Sequence, residues 1–134
     1  AYRRQRQMCI RDRDMASSLF IDLPEMQPNS ANKFFDSLAS STPIMLNYGG
    51  WMHELVEGKK CGLAMWRKPV SEVARIVSSR ITDRQWLETA GAAARSLAES
   101  EFDRDRLAVQ FAEVITKSAI GQGQSAEHIA PGRY

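Results

Sequence analysis

The strongest constraint on this chain is an alternation. Three short apolar runs are each followed by a stretch whose apolar residues recur at helical spacing. The first run, Leu19-Phe20-Ile21-Asp22-Leu23, is ended by Pro24 and reads as a buried strand leading into a loop. Ala31, Phe34, Phe35, Leu38 and Ala39 then fall at i, i+3, i+4, i+7 and i+8, one apolar helix stripe with Asn32, Lys33 and Asp36 off it. Pro43-Ile44-Met45-Leu46-Asn47-Tyr48 is the second run, stopped by Gly49-Gly50, and Trp51, Met52, Leu55 and Val56 follow as a short helix expected to close at Gly58. Cys61-Gly62-Leu63-Ala64-Met65-Trp66 is the third, apolar almost throughout, as in a parallel strand covered on both faces.

The rest of the chain reads as helix. Pro69 suits a first helical turn ahead of Val70, Val73, Ala74, Val77 and Ile81. Thr82-x-x-Gln85 has the form of a capping box, opening a helix whose Trp86, Leu87, Ala90, Ala94 and Leu97 face inward. Asp103 is placed to cap a last helix through Leu107, Phe111, Val114 and Ile115, and from Gly121 the text turns to Gly, Gln and Ser and is expected to fray. Strands alternating with helices at these lengths predict an α/β fold. The expectation is a partial Rossmann-like parallel sheet of about three strands, with helices on both faces and further helices at the C-terminal end.

Charge is distributed unevenly. The formal net charge is +2, but the first thirteen residues, AYRRQRQMCIRDR, hold five Arg and one Asp, so the remainder is slightly acidic. That opening run has no apolar period and no helix start, and it resembles translated sequencing-adapter read-through. The organisation expected is a non-native or disordered run over 1–16, a globular part over 17–118 and a flexible tail over 119–134. Three strands are few for such a sheet, and the first begins just after the suspect run, so the natural protein is expected to extend further on its N-terminal side. A genuine basic arm for RNA or lipid headgroups is the rival reading of residues 1–13; without it, no nucleic-acid partner is expected.

With 43% hydrophobic and 25% charged residues, the chain lies far from the disordered and membrane-spanning classes. No apolar run approaches the ~20 residues needed to span a bilayer. Cys9 and Cys61 with His53 and His128 have no disulfide framework or metal-ligand spacing, so no metal is expected and a cytoplasmic setting is, in one version peripheral to a membrane.

In parallel α/β sheets ligands bind beyond the carboxyl ends of the strands, where loops enter helices. The loop Pro24-Glu25-Met26-Gln27-Pro28-Asn29-Ser30 is long for such a connection and opens onto a helix start at Asn29 to Lys33. Helix N-termini present unpaired N–H groups and roughly half a positive charge. Asn29 or Ser30 is expected to cap this one, which puts Lys33 where a capping box would hold Glu or Gln. A cation there is unfavourable by about 0.3 to 1 kcal/mol unless an anion sits beside it. A diphosphate resolves the conflict by taking the N–H groups of Ser30, Ala31 and Asn32 and the Lys33 ammonium. Asp36, one turn further, is placed to accept ribose hydroxyls. The plain alternative is a weak surface ion pair between Lys33 and Asp36. Gly49-Gly50 forms a second loop at the same sheet edge, read equally as a close approach to a ligand or as a tight turn. Trp51, Trp66 and Trp86 are expected in packing, His53 at the surface, and Met26, Met45, Met52 and Met65 as core or loop fillers.

The stretch from Pro28 to Ile44, PNSANKFFDSLASSTPI, resembles the donor-site signature of group 1 glycosyltransferases with the GT-B fold, in the branch with an (S/N)-K-x-(F/L)-(D/E)-x-(L/M)-A-x-G-x-P-(V/I) pattern. The resemblance runs from about Ser17 to Ile115, through Asn47-Tyr48-Gly49-Gly50-Trp51, Glu54-Leu55-Val56 and Cys61-Gly62-Leu63-Ala64 to Ala92-Ala93-Ala94-Arg95 and Phe102-Asp103-Arg104. It implies that Asn29, Ser30, Ala31, Asn32 and Lys33 hold the diphosphate of a nucleotide-sugar donor of UDP or GDP type, and that Asp36 holds the ribose. It further implies a retaining, metal-independent hexosyltransferase of polysaccharide biosynthesis. A glycan or lipid-linked acceptor would be bound by an N-terminal domain outside this chain, so the fragment alone would be inactive. Departures are clear: Pro28 stands where the family's better-known form has its first Glu, Asp36 replaces the second, and Ser41 stands where Gly is usual. Glu25 in the long loop is a candidate acid for the sugar, read equally as a solvated loop carboxylate, and a non-enzymatic Rossmann-like module for phosphorylated ligands is the competing function.

Overall fold

The computed structural model describes residues 13–126, with side chains through 119. The Arg-rich run, apart from Arg13, and the last eight residues lie outside the described residues, and so do the readings that fall on them. The chain divides into two compact units, one ending at Glu101 and one beginning at Phe102.

The first unit is α/β. Its strands β1 (Ala16–Ser18), β2 (Ile44–Leu46) and β3 (Gly62–Ala64) form one parallel sheet in the order β1-β2-β3. Ala16 pairs with Ile44 and Ser18 with Leu46 across β1 and β2, and Ile44 with Gly62 and Leu46 with Ala64 across β2 and β3. The helices of this unit are α1 (Asn32–Ala39), α2 (Trp51–Lys59), α3 (Val70–Ile81) and α4 (Arg84–Glu101). Helix α1 packs on β1, β2 and α4, α2 on β3 and α4, and α3 on α4.

The first strand lies earlier than the apolar run predicts. Leu19, Ile21 and Leu23 are exposed, at 56%, 69% and 45%. The ladder ends at Ser18 because β2 ends opposite it at Leu46. Beyond that point the Asn47 side chain takes over: its Oδ1 accepts the Phe20 N–H and its Nδ2 donates to the Phe20 carbonyl, both at 2.9 Å. Ser18 is buried, and the Tyr48 hydroxyl donates to its Oγ at 3.3 Å. That buried polar pair is invisible to hydrophobic patterning.

The core is assembled from Phe34 and Leu38 of α1, Ile44 and Leu46 of β2, Met52 and Val56 of α2, Cys61 and Leu63, and Leu87, Ala90, Ala94 and Leu97 of α4. Burying each large side chain contributes roughly 1.5 to 3 kcal/mol. Ser37 joins this face in place of Ala39, its hydroxyl satisfied by the Lys33 carbonyl at 2.7 Å. Small residues on α4 allow close packing, and Arg95 donates to the Ala39 carbonyl at 2.7 Å, satisfying the C-terminal end of α1.

Several helix boundaries differ from the pattern reading. Helix α2 runs through Gly58 and stops at Lys60, in left-handed backbone at φ 55. Thr82 does not open α4; its hydroxyl back-bonds to the carbonyls of Ser78 and Ser79, while Asp83 Oδ1 accepts the Trp86 N–H at 2.9 Å. The carboxylate one residue on is the stronger cap. Val70 and Ile81 face outward, whereas Val73, Ile76 and Val77 are half-buried. Of the methionines expected as fillers, Met52 and Met65 are buried and Met26 and Met45 half-buried.

The second unit contains α5 (Arg104–Ala126), capped as predicted by Asp103, whose Oδ1 accepts the Arg106 N–H at 2.9 Å. It extends past the expected fraying point at Gly121. Leu107, Phe111, Val114 and Ile115 are all exposed.

Candidate functional site

The carboxyl end of β1 leads through residues 19–31 into α1. Within this connection Pro24–Met26 form a 3-10 turn, closed by the Gln27 N–H on the Pro24 carbonyl at 3.2 Å. Asn29 follows with its N–H on Met26 O at 3.2 Å. The helix cap falls one residue later than predicted: Ala31, at φ −69 and ψ 124, is the N-cap, and no side chain caps the helix. Neither Asn29 nor Ser30 does so: Asn29 closes the preceding turn, and both lie upstream of the cap. Alanine is among the poorest N-caps, weaker than Ser or Asn by about 1 kcal/mol.

Lys33 therefore sits at the second helical position rather than the third, still in the first turn, and that turn holds no acidic residue. Asn32, Lys33 and Asp36 are exposed and Ala31 is buried. Lys33 and Asp36 do not form the ion pair that the plain reading expects; neither takes part in any salt bridge among the described residues. Glu25 is exposed in the 3-10 turn, part of the same connection.

The glycine loop lies against this connection. Gly50 adopts φ 99 and ψ −172, a region essentially reserved for glycine, and a Cβ there would overlap the Gln27 carbonyl oxygen. At Gly49 a Cβ would lie 2.8 Å from the Trp66 ring. Both glycines are thus required by close approach of this chain's own groups, whether or not a ligand approaches as well. Gly50 is also the N-cap of α2, its carbonyl accepting the Glu54 N–H at 3.2 Å.

Trp66 packs as expected, but at a place periodicity does not reveal: it stands half-buried just beyond β3, where three βα connections meet. Its indole N–H donates to Asp22 Oδ1 at 3.4 Å, its ring lies beside Gly49, His53 meets it edge-on at 6.0 Å, and the Arg67 guanidinium lies 4.2 Å from its ring centroid. Among the described residues Arg67 is one of three non-glycine residues with positive φ, at 59. The signal available in sequence was position alone: a tryptophan at the carboxyl end of a parallel strand. Trp51 and Trp86 pack as expected, Trp51 against Phe34 at 5.8 Å and Trp86 under Arg80 at 5.4 Å.

Beneath the site, burial raises the Tyr48 hydroxyl above its usual pKa, against the bond to Ser18, which lowers it. The Cys61 thiol is pushed up to about 11 by burial, opposed by a weaker backbone hydrogen bond, and is a core residue rather than a nucleophile. Among the described residues no group of three or more His, Cys, Asp and Glu is arranged to hold a metal ion, and no helix is long and apolar enough to cross a membrane. No protein-family model, curated protein or solved structure matches the chain.

Proposed function

We propose that this chain is the nucleotide-binding part of a glycosyltransferase, holding the diphosphate of a nucleotide-sugar donor at the N-terminus of α1. The observation that carries the reading is an unpaired Lys33 in the first turn of a helix that no side chain caps, at the carboxyl edge of a parallel sheet. A poor cap and a cation at the positive end of the dipole both cost stability in the absence of an anion. Local rules broken together in this way are characteristic of binding sites. A bound diphosphate reverses both costs, since the free N–H groups and the ammonium become its donors.

Asp36, exposed and unpaired one turn on, takes the ribose hydroxyls. Ser41 adds support to the resemblance that names the donor class. It lies at φ 57, in the left-handed region where glycine is favoured, and it occupies the position at which that family usually carries Gly. In the parent enzyme the helix dipole and Lys33 stabilise negative charge developing on the departing diphosphate, while Asp36 contributes binding to ground and transition states alike. The acceptor and the sugar-facing acid come from elsewhere, with Glu25 of the β1–α1 connection as a weak candidate for the acid.

Calorimetric titration of uridine and guanosine diphosphates against the chain, Lys33→Ala and Asp36→Ala tests this. Weaker binding of both nucleotides to Lys33→Ala, and a loss at Asp36→Ala that vanishes for inorganic pyrophosphate, are expected. Equal weak binding by all three proteins refutes it. Binding that ignores the nucleoside favours a non-enzymatic phosphate-ligand module instead.

A further inference from the structure

The β1–α1 connection that delivers Asn29 to Lys33 has little apolar anchorage of its own, because Leu19, Ile21 and Leu23 point to solvent. Three points fix it to the rest of the unit. Phe20 is held by the Asn47 amide and by the Tyr48 ring at 4.9 Å, Gln27 is seated against Gly50, and between them Asp22 accepts the Trp66 indole N–H. Trp66 is itself braced from the β2–α2 side, by Gly49 and by His53 at the start of α2, and Arg67 of its own connection stacks over its ring. We infer that Trp66 is a positioning residue for the anion site. Its indole N–H clamps the β1–α1 connection through Asp22 and so fixes where the helix start presents its donors. This rests on the diphosphate reading for its effect on affinity, but not for the clamp itself.

The two parts are tested separately. Amide hydrogen exchange reads the clamp through Met26, Gln27 and Asn29, whose N–H groups close the turns of this connection on Leu23, Pro24 and Met26 carbonyls. Trp66→Phe keeps a ring beside Gly49 and removes only the donor; Asp22→Ala removes only the acceptor; Asp22→Asn keeps an acceptor oxygen. Faster exchange at those three amides in Trp66→Phe and Asp22→Ala, and wild-type exchange in Asp22→Asn, are expected. Uridine diphosphate affinity should fall roughly fivefold in each of the first two, no further in their double variant, and stay within about twofold in Asp22→Asn. Unchanged exchange in Trp66→Phe overturns the clamp, whatever the nucleotide does. If the wild-type chain binds the nucleotide and the first two variants bind it equally well, the positioning role is wrong while the site reading stands. If the wild-type chain does not bind, the site reading fails and the exchange data alone decide the clamp.

Discussion

Replacing Gly50 by alanine puts the packing of the site to a quantitative test. Two penalties act together. An L-residue held at φ 99 and ψ −172 costs about 1 to 3 kcal/mol, and the new methyl group would overlap the Gln27 carbonyl oxygen, forcing the β1–α1 connection outward at a further cost of about 1 to 3 kcal/mol. A total of roughly 2 to 6 kcal/mol is a large share of the stability of a domain this size. It should lower the urea midpoint by about 1 to 3 M. Two other glycines supply internal controls. Gly49→Ala meets only the Trp66 ring, at 2.8 Å, and a side chain yields more cheaply than backbone, so its loss should be smaller. Gly58→Ala lies inside α2 with nothing within 4 Å of the added carbon and should gain about 0.5 to 1 kcal/mol. Urea denaturation of the three variants, followed by far-ultraviolet circular dichroism, gives the order directly. A Gly50→Ala midpoint equal to wild type, or a destabilised Gly58→Ala, would show that the connection and α2 are not built as described.

The remaining expectations are smaller. Asp83→Ala should cost about 1 kcal/mol in thermal or urea unfolding, and Thr82→Ala a few tenths at most, which separates the observed cap from the apparent capping box. Ser41→Gly should stabilise by roughly 0.5 to 1 kcal/mol by relieving left-handed backbone, read in the same assay. For Cys61, the folded chain keeps its proton until about pH 11 while the unfolded thiol releases it near its ordinary value of 9.0. Stability is therefore lost as pH rises from 9 toward 11, by about 2 to 3 kcal/mol from this group, and the raised Tyr48 adds to the loss in the same direction. Urea midpoints at pH 8 and 10.5 should differ less in Cys61→Ala than in the wild-type chain; an identical drop in both would contradict the assignment.

The fold class was legible because it rests on coarse periodicity. Phe34, Leu38, Met52, Val56, Leu87, Ala90, Ala94 and Leu97 recur at helical spacing and all are buried. Strand β1 was less so, since its Ala16-Ser17-Ser18 carries no apolar signal and its pairing is set by β2 and by a buried hydroxyl on Tyr48. The neighbouring run Leu19 to Leu23 has the stronger hydrophobic pattern and no ladder partner. Caps failed where two residues competed, Thr82 against Asp83 and Ser30 against Ala31, because the outcome depends on where the preceding turn ends. Among the candidate site residues, Lys33 and Asp36 could be read from spacing. The roles of Asp22, Trp66 and Arg67 could not, since they are brought together only by the meeting of three connections.

Amide chemical shifts observe the first turn of α1, where the diphosphate is placed, most directly. Titrating the isotopically labelled chain with uridine diphosphate should move the backbone amides of Ala31, Asn32 and Lys33 together, with one saturating curve, while the amides of α5 stay in place. Lys33→Ala should displace that curve to higher concentration, and without nucleotide it should be slightly the more stable protein, by about 0.3 to 1 kcal/mol, since it lacks a cation at the helix start. Saturable shifts centred elsewhere, or a Lys33→Ala chain that binds as tightly as wild type, would contradict the account.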